Sequence, residues 1–343
     1  MENFDKLIEQ AEKTYLENFP AETCFERAIF FSWDCSIKDC GFCYMSAHTK
    51  RKTSPKIARR STESMLAEVI LCKKLGWEIG FLSGGISAFK YSELKYLIEK
   101  IVQTYSKKIW LNAGPIPPEK LKEYSPYLEG VVGSIETINQ ELHKKICPSK
   151  PMLPYEKMFE NALDLGLQNA MTFVLGMGES IYDLELLKKF VKKYKISKIT
   201  FYGLLPHKGT MFENAQPPSA EYQAEWIART RIEFPKIKIQ CGVWSDRADR
   251  LILLMKAGSN TITKFPAISQ FGTNNAKELE EQAKKSGRKF KGTLTKLPQI
   301  DIDEEIDLLP FDDILKQKIK QKLIEYIETM KKSIDKQNAR STS

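Results

Sequence analysis

No apolar run in this 343-residue chain approaches the ~20 residues that span a bilayer, and the opening MENFDKLIEQ carries no apolar h-region. Both absences lead to the expectation of a soluble, cytoplasmic protein. No linker interrupts residues 28–266, and no internal repeat beyond a strand-plus-helix period is visible. A disulfide framework is not expected, because seven cysteines are an odd number in a chain without a secretion signal. Disordered and low-complexity classes are excluded by a hydrophobic content of 42%, enough to fill a sizeable core.

The net charge of +9 comes from 53 Lys and Arg against 44 Asp and Glu. A basic balance can serve a nucleic-acid partner. Here, however, the positives are interleaved with acids, as in ELEEQAKK and YIETMKK, the pattern of solvated helix faces. The segment after residue 276 also lacks the aromatic–basic interleaving that single-strand binders use. Neither nucleic acid nor membrane is expected as a partner.

What is present is a series of eight β-rich apolar runs, at 28–33, 78–83, 108–112, 130–135, 170–176, 198–205, 237–243 and 260–265. They recur about every 33 residues, the length of one strand-plus-helix unit. The helix between the first two runs can start at a Ser61 or Thr62 cap, with Glu63 in its first turn and Gly76 past its end. Eight consecutive units predict an α/β fold, a (βα)8 TIM barrel of parallel strands over residues 25–270. A helix within 1–24, with Phe4, Leu7, Ile8, Ala11 and Tyr15 on one face, precedes it. Residues 271–310 read as a polar loop, and 311–337 as an amphipathic helix packed on the barrel.

Cys35, Cys40 and Cys43 fall just past the first predicted strand, at the C-terminal rim where barrel active sites sit. Three thiolates on one short loop suit three chemistries. They can hold an iron–sulfur cluster with one iron left open, or a zinc with His48 as fourth ligand. Cys40-x-x-Cys43 can also act alone as a redox pair. Other strand ends add Ser83-Gly84-Gly85, the carboxylate of Glu136, and the turn Val174-Leu175-Gly176-Met177-Gly178-Glu179.

Together, the Cys triad with Phe42 before its third member, the Gly-Gly turn after strand two, and Val174-x-Gly176-x-x-Glu179 resemble the radical S-adenosylmethionine (SAM) superfamily. The resemblance implies a single [4Fe-4S] cluster on Cys35, Cys40 and Cys43 whose open iron chelates the methionine end of SAM. It further implies that Ser83, Gly84 and Gly85 meet the SAM amino group with Glu136, that Val174 and Gly176 line the adenine, and that Phe42 and Tyr44 shield both groups. Lys157 is the nearest base for the SAM carboxylate. Two departures stand out: the motif is Cys-x4-Cys-x2-Cys where Cys-x3-Cys-x2-Cys is common, and Gly84-Gly85-Ile86 has no third-position acid.

The stretches ETINQELHKKICP, LLPHKGTMFENAQPP and IQCGVW are similar to the branch of biotin synthase and HydE. Within it the enlarged first gap of the Cys motif and the stretches FLSGG, KGTMFEN and SNTITKFPA look most like the HmdB/HcgA family of [Fe]-hydrogenase cofactor maturases. That resemblance implies an enzyme that forms or modifies the pyridinol of the iron-guanylylpyridinol cofactor, fed by an electron donor such as ferredoxin or flavodoxin. A small substrate would meet Asn112, Tyr202, His207, Trp244 and Lys264 at the strand ends. A biotin synthase-like or HydE-like enzyme acting on another small substrate is one alternative, and a non-catalytic zinc-binding barrel is another.

Overall fold

The computed structural model describes residues 3–49 and 58–341. Eight strands form one parallel sheet in sequence order: β2 (Glu26–Phe30), β3 (Glu78–Ser83), β4 (Ile109–Asn112), β5 (Leu128–Glu136), β6 (Gln168–Leu175), β7 (Ile196–Gly203), β8 (Lys238–Gly242) and β9 (Thr261–Thr263). The last strand returns to the first through a parallel bridge between Phe25 and Ile262, which makes the sheet a barrel. All eight apolar runs lie on these strands. This follows from chemistry, because strands covered by helices on one face and by barrel filling on the other are apolar over most of their length.

The barrel is filled in layers. At its N-terminal end Glu26 is buried and accepts from Gln240 Nε2 at 2.8 Å and Thr261 Oγ1 at 2.7 Å, and it is ion-paired with Lys198. Above this closed polar floor lies an apolar layer of Phe81, Trp110, Val132 and Ala170, with Ala28 and Tyr202 against it. Space opens at both ends of these layers: a cavity at the C-terminal strand ends, and another of about 720 Å³ at the N-terminal ends, beside Glu26, Lys198 and Thr261.

The helix Thr62–Leu75 begins after Ser61 and ends on Gly76 in the left-handed conformation, φ 68°. Nearly all its residues are buried, because the long helix Asp313–Ser341 packs against its outer side. Arg60 ties this layer down: it is paired with Glu68 at 2.6 Å and donates to the Tyr326 hydroxyl at 2.9 Å. The N-terminal helix, Phe4–Asn18, buries Leu7, Ile8, Ala11 and Tyr15 against the helices Ala220–Glu233 and Leu251–Lys256. Phe4 is only partly buried on that face.

Residues 271–310 differ from the expected polar loop. They include a helix, Asn274–Lys285, started by the Thr273 cap, and a short strand β10 (Lys289–Lys291) that pairs in parallel with β1 (Glu22–Cys24). The helix buries only Ala276, Leu279 and Ala283, too narrow an apolar stripe to stand out among its charges. Among the described residues no helix is long and apolar enough to cross a membrane.

Candidate active site

The site grows from two neighbouring loops. Beyond β2 the chain bends so that Phe31 N–H donates to Ser83 O at 2.7 Å, while Gly85 N–H donates to Ser32 O at 3.3 Å. Ser36 N–H then meets the Ile86 carbonyl at 3.0 Å. The loops touch backbone to backbone, which explains the glycine pair. A Cβ on Gly85 would sit 1.8 Å from the Asp34 carbonyl oxygen, and one on Gly84 would sit 2.2 Å from the Phe31 ring. The missing third-position acid is Ile86, whose carbonyl holds the cysteine loop.

That loop is pinned again further on. Gly41 N–H donates to Ile146 O at 2.7 Å and Gly41 O accepts from Met211 N–H at 2.8 Å. Cys40 is buried, while Cys35 and Cys43 are half-buried. Burial pushes the Cys43 thiol up to about 11. The Cys40 thiol is raised first by the neighbouring Cys147 thiol and then by burial. Among the described residues no three His, Cys, Asp or Glu side chains are gathered as a metal-ion site. The His48 side chain lies outside the described residues. In donor chemistry, three soft thiols on one pinned loop fit an iron–sulfur centre.

Beside this loop a cavity of about 200 Å³ occupies the C-terminal mouth of the barrel. Phe42, Cys43, Tyr44, Ser83, Gly84, Asn112, Glu136, Val174, Tyr202, His207, Trp244 and Lys264 all line it. Cys35, Cys40, Gly85 and Gly176 are not among its lining residues. Gly176 adopts φ 97°, and Glu179 closes its turn by accepting from Gly176 N–H at 2.6 Å and Met177 N–H at 2.9 Å. Asn112 Oδ1 accepts from Ser134 Oγ at 2.9 Å, and the Tyr44 and His207 rings lie 5.5 Å apart.

Two charged residues facing the cavity sit in the left-handed region: Glu136, φ 66°, after a register shift at the end of β5, and Lys264, φ 74°, just past β9. Each conformation costs about 1–2 kcal/mol for a residue with a Cβ. The Glu136 carboxylate is buried and accepts from Lys150 Nζ and Thr172 Oγ1, both at 3.1 Å. Burial by itself would lower the Lys150 pKa. The charge of Glu136, joined by Tyr155, Cys147 and Cys40, outweighs it and holds the ammonium well above its usual range. Next to this pair His143 is buried and pushed down to about 4, by desolvation first and by Lys150 second.

Lys157 is not part of this arrangement. It sits on the exposed side of the helix Leu153–Asp164, whose inward face carries Tyr155, Met158 and Phe159. Lys150 was not legible as a site residue: nothing local sets it apart from other lysines, and it reaches Glu136 because the chain folds back after Cys147. Cys241 is wholly buried, with its Sγ 3.5 Å from the Thr261 carbonyl, and burial pushes its thiol up to about 12. It is a packing residue.

A family model described as the Radical SAM superfamily matches residues 34–209. An uncharacterized protein of Methanocaldococcus jannaschii is 37% identical over 295 residues, covering 85% of this chain and 82% of its own. A biotin synthase of Thermotoga neapolitana is 28% identical over 214 residues, covering 60% of this chain and 75% of its own. The crystal structure of methylornithine synthase superposes with a TM-score of 0.69 at 21% identity, over 83% of this chain and 88% of that one, and so shares the fold.

Proposed function

Because the chain belongs to the radical SAM superfamily, we propose that Cys35, Cys40 and Cys43 hold one [4Fe-4S] cluster and that the barrel mouth binds SAM beside it. The observation that carries this reading is the contact of the cysteine loop with the Gly84-Gly85 turn, on the rim of a cavity that Glu136 also lines. When bound, the cluster supplies the electron that splits SAM into methionine and a 5′-deoxyadenosyl radical.

The chain's own residues have the complementary tasks. Ser83, Gly84 and Glu136 receive the SAM amino group, and Gly85 admits the cysteine loop beside them. Lys150, the buried base beside Glu136, holds that carboxylate in place and charged. Val174 and Gly176 border the adenine, and Phe42 and Tyr44 keep water from both groups. Asn112, Tyr202, His207, Trp244 and Lys264 hold the substrate so that one C–H bond faces the radical carbon. A cavity of about 200 Å³ favours a small molecule over a polymer.

For the pathway we propose formation or modification of the pyridinol of the iron-guanylylpyridinol cofactor, with ferredoxin or flavodoxin as reductant. The support is the enlarged first gap of the Cys motif and the sequence resemblance of residues 81–85, 208–214 and 259–267 to the HmdB/HcgA maturases. A biotin synthase-like activity is less well supported, since a second cluster would need further ligands in the barrel and Cys241 is packed against β9. Metal and sulfide analysis of anaerobically reconstituted protein tests the cofactor. About four irons per chain are expected; about eight would favour a second cluster, and zinc without iron would refute the proposal.

A further inference from the structure

Among the described residues, the positive charge of Lys264 has no oxygen partner. Its ammonium lies 4.7 Å above the centre of the Tyr202 ring and 5.6 Å from that of Trp244, and the structure gives it no hydrogen bond or ion pair. The cavity's other charged pair is complete, because Glu136 is engaged by Lys150 and Thr172. On the same wall, the indole Nε1–H of Trp244 is covered and has no acceptor among the described residues. Unmet polar groups at one wall of a cavity call for a ligand that completes them.

The backbone supports the same conclusion. Lys264 takes φ 74°, which glycine would adopt without strain, directly after β9. This conformation carries a long basic side chain over the mouth of the barrel, between two aromatic faces.

We propose that Lys264 and Trp244 form the recognition site for a carboxylate on the substrate, attached to a flat or small body that fits against Tyr202. This rests on the mouth of the barrel being the substrate site. A singly charged group is indicated because, among the described residues, Lys264 is the one lysine or arginine lining the space; a phosphate dianion would leave excess negative charge beside Glu136. Burial lowers the Lys264 pKa while the Glu136 charge opposes it, and an entering carboxylate would strengthen the charged form.

The test uses benzoate and its neutral isostere benzamide as probes, with binding to the full-length reconstituted protein followed by ligand-observed NMR. Wild type should prefer benzoate by about tenfold, the scale of one charge-assisted hydrogen bond. Lys264→Met should bring that preference to near unity, Lys264→Arg should largely restore it, and SAM should leave benzoate bound. Equal binding of the two probes, or an unchanged preference in Lys264→Met, would overturn the proposal. So would displacement of benzoate by SAM together with a matching loss of SAM affinity in Lys264→Met, because Lys264 would then serve the cofactor. Separately, failure of wild type to bind SAM at all would count against the cofactor reading above.

Discussion

Lys150 and Glu136 meet at 3.1 Å with side chains only 6% and 10% exposed, so each depends on the other to remain charged inside the protein. Removing one partner of such a pair leaves a buried charge uncompensated and costs about 3–5 kcal/mol. Glu136→Ala is therefore expected to lower the thermal midpoint sharply and to abolish SAM binding. The double variant Glu136→Leu, Lys150→Met should recover much of the stability but none of the SAM affinity. Differential scanning fluorimetry with and without SAM separates the two effects.

The next prediction concerns His143. Its folded-state pKa of about 4 lies below the ~6.5 of an unfolded histidine, so the unfolded chain binds the extra proton more readily. The contribution of His143 is complete above about pH 6.5 and is lost as pH falls towards 4. Thermal midpoints measured across that window should decline in wild type and decline less in His143→Gln. Parallel curves would show that His143 does not titrate as its burial requires.

Glycine chemistry offers a third test. Gly85→Ala drives a methyl group into the Asp34 carbonyl, and the cysteine loop must move to admit it. Iron retention should fall by more than half, while far-UV circular dichroism stays near wild type. Gly166→Ala is the control. Its φ of 71° strains a residue with a Cβ, but nothing lies within 4 Å of the added carbon, so a loss of about 1–2 kcal/mol with normal iron content is expected.

Thiol reactivity provides a fourth. In the metal-free chain the alkylation of Cys43 by iodoacetamide should keep rising with pH to about 11, where its buried thiol titrates. Peptide mapping by mass spectrometry reads the rate at this residue. A plateau near pH 9 would mean an ordinary exposed thiol, and iron loading should suppress the reaction at every pH.

The barrel was legible because each of its strands is a continuous apolar run, and the repeat of strand plus helix is long enough to count. The rim residues were legible because they follow those runs directly: Ser83, Glu136 and Lys264 each end or follow a strand. Lys150 was not, since it lies in a loop between two helices and is brought to Glu136 only by tertiary folding. The helix Asn274–Lys285 escaped for a different reason, because its three small buried contacts carry almost no hydrophobic signal. The role of Cys147 beside Cys40 was equally hidden, as their proximity depends on the bond from Gly41 to Ile146.

The most direct test of the account is the formation of 5′-deoxyadenosine from SAM and dithionite by anaerobically reconstituted protein, in wild type and in Cys35→Ala, Cys40→Ala and Cys43→Ala. The account predicts product from wild type and none from any of the three variants, with Cys241→Ala retaining activity. Product formation that survives the loss of one of the three loop cysteines would contradict it.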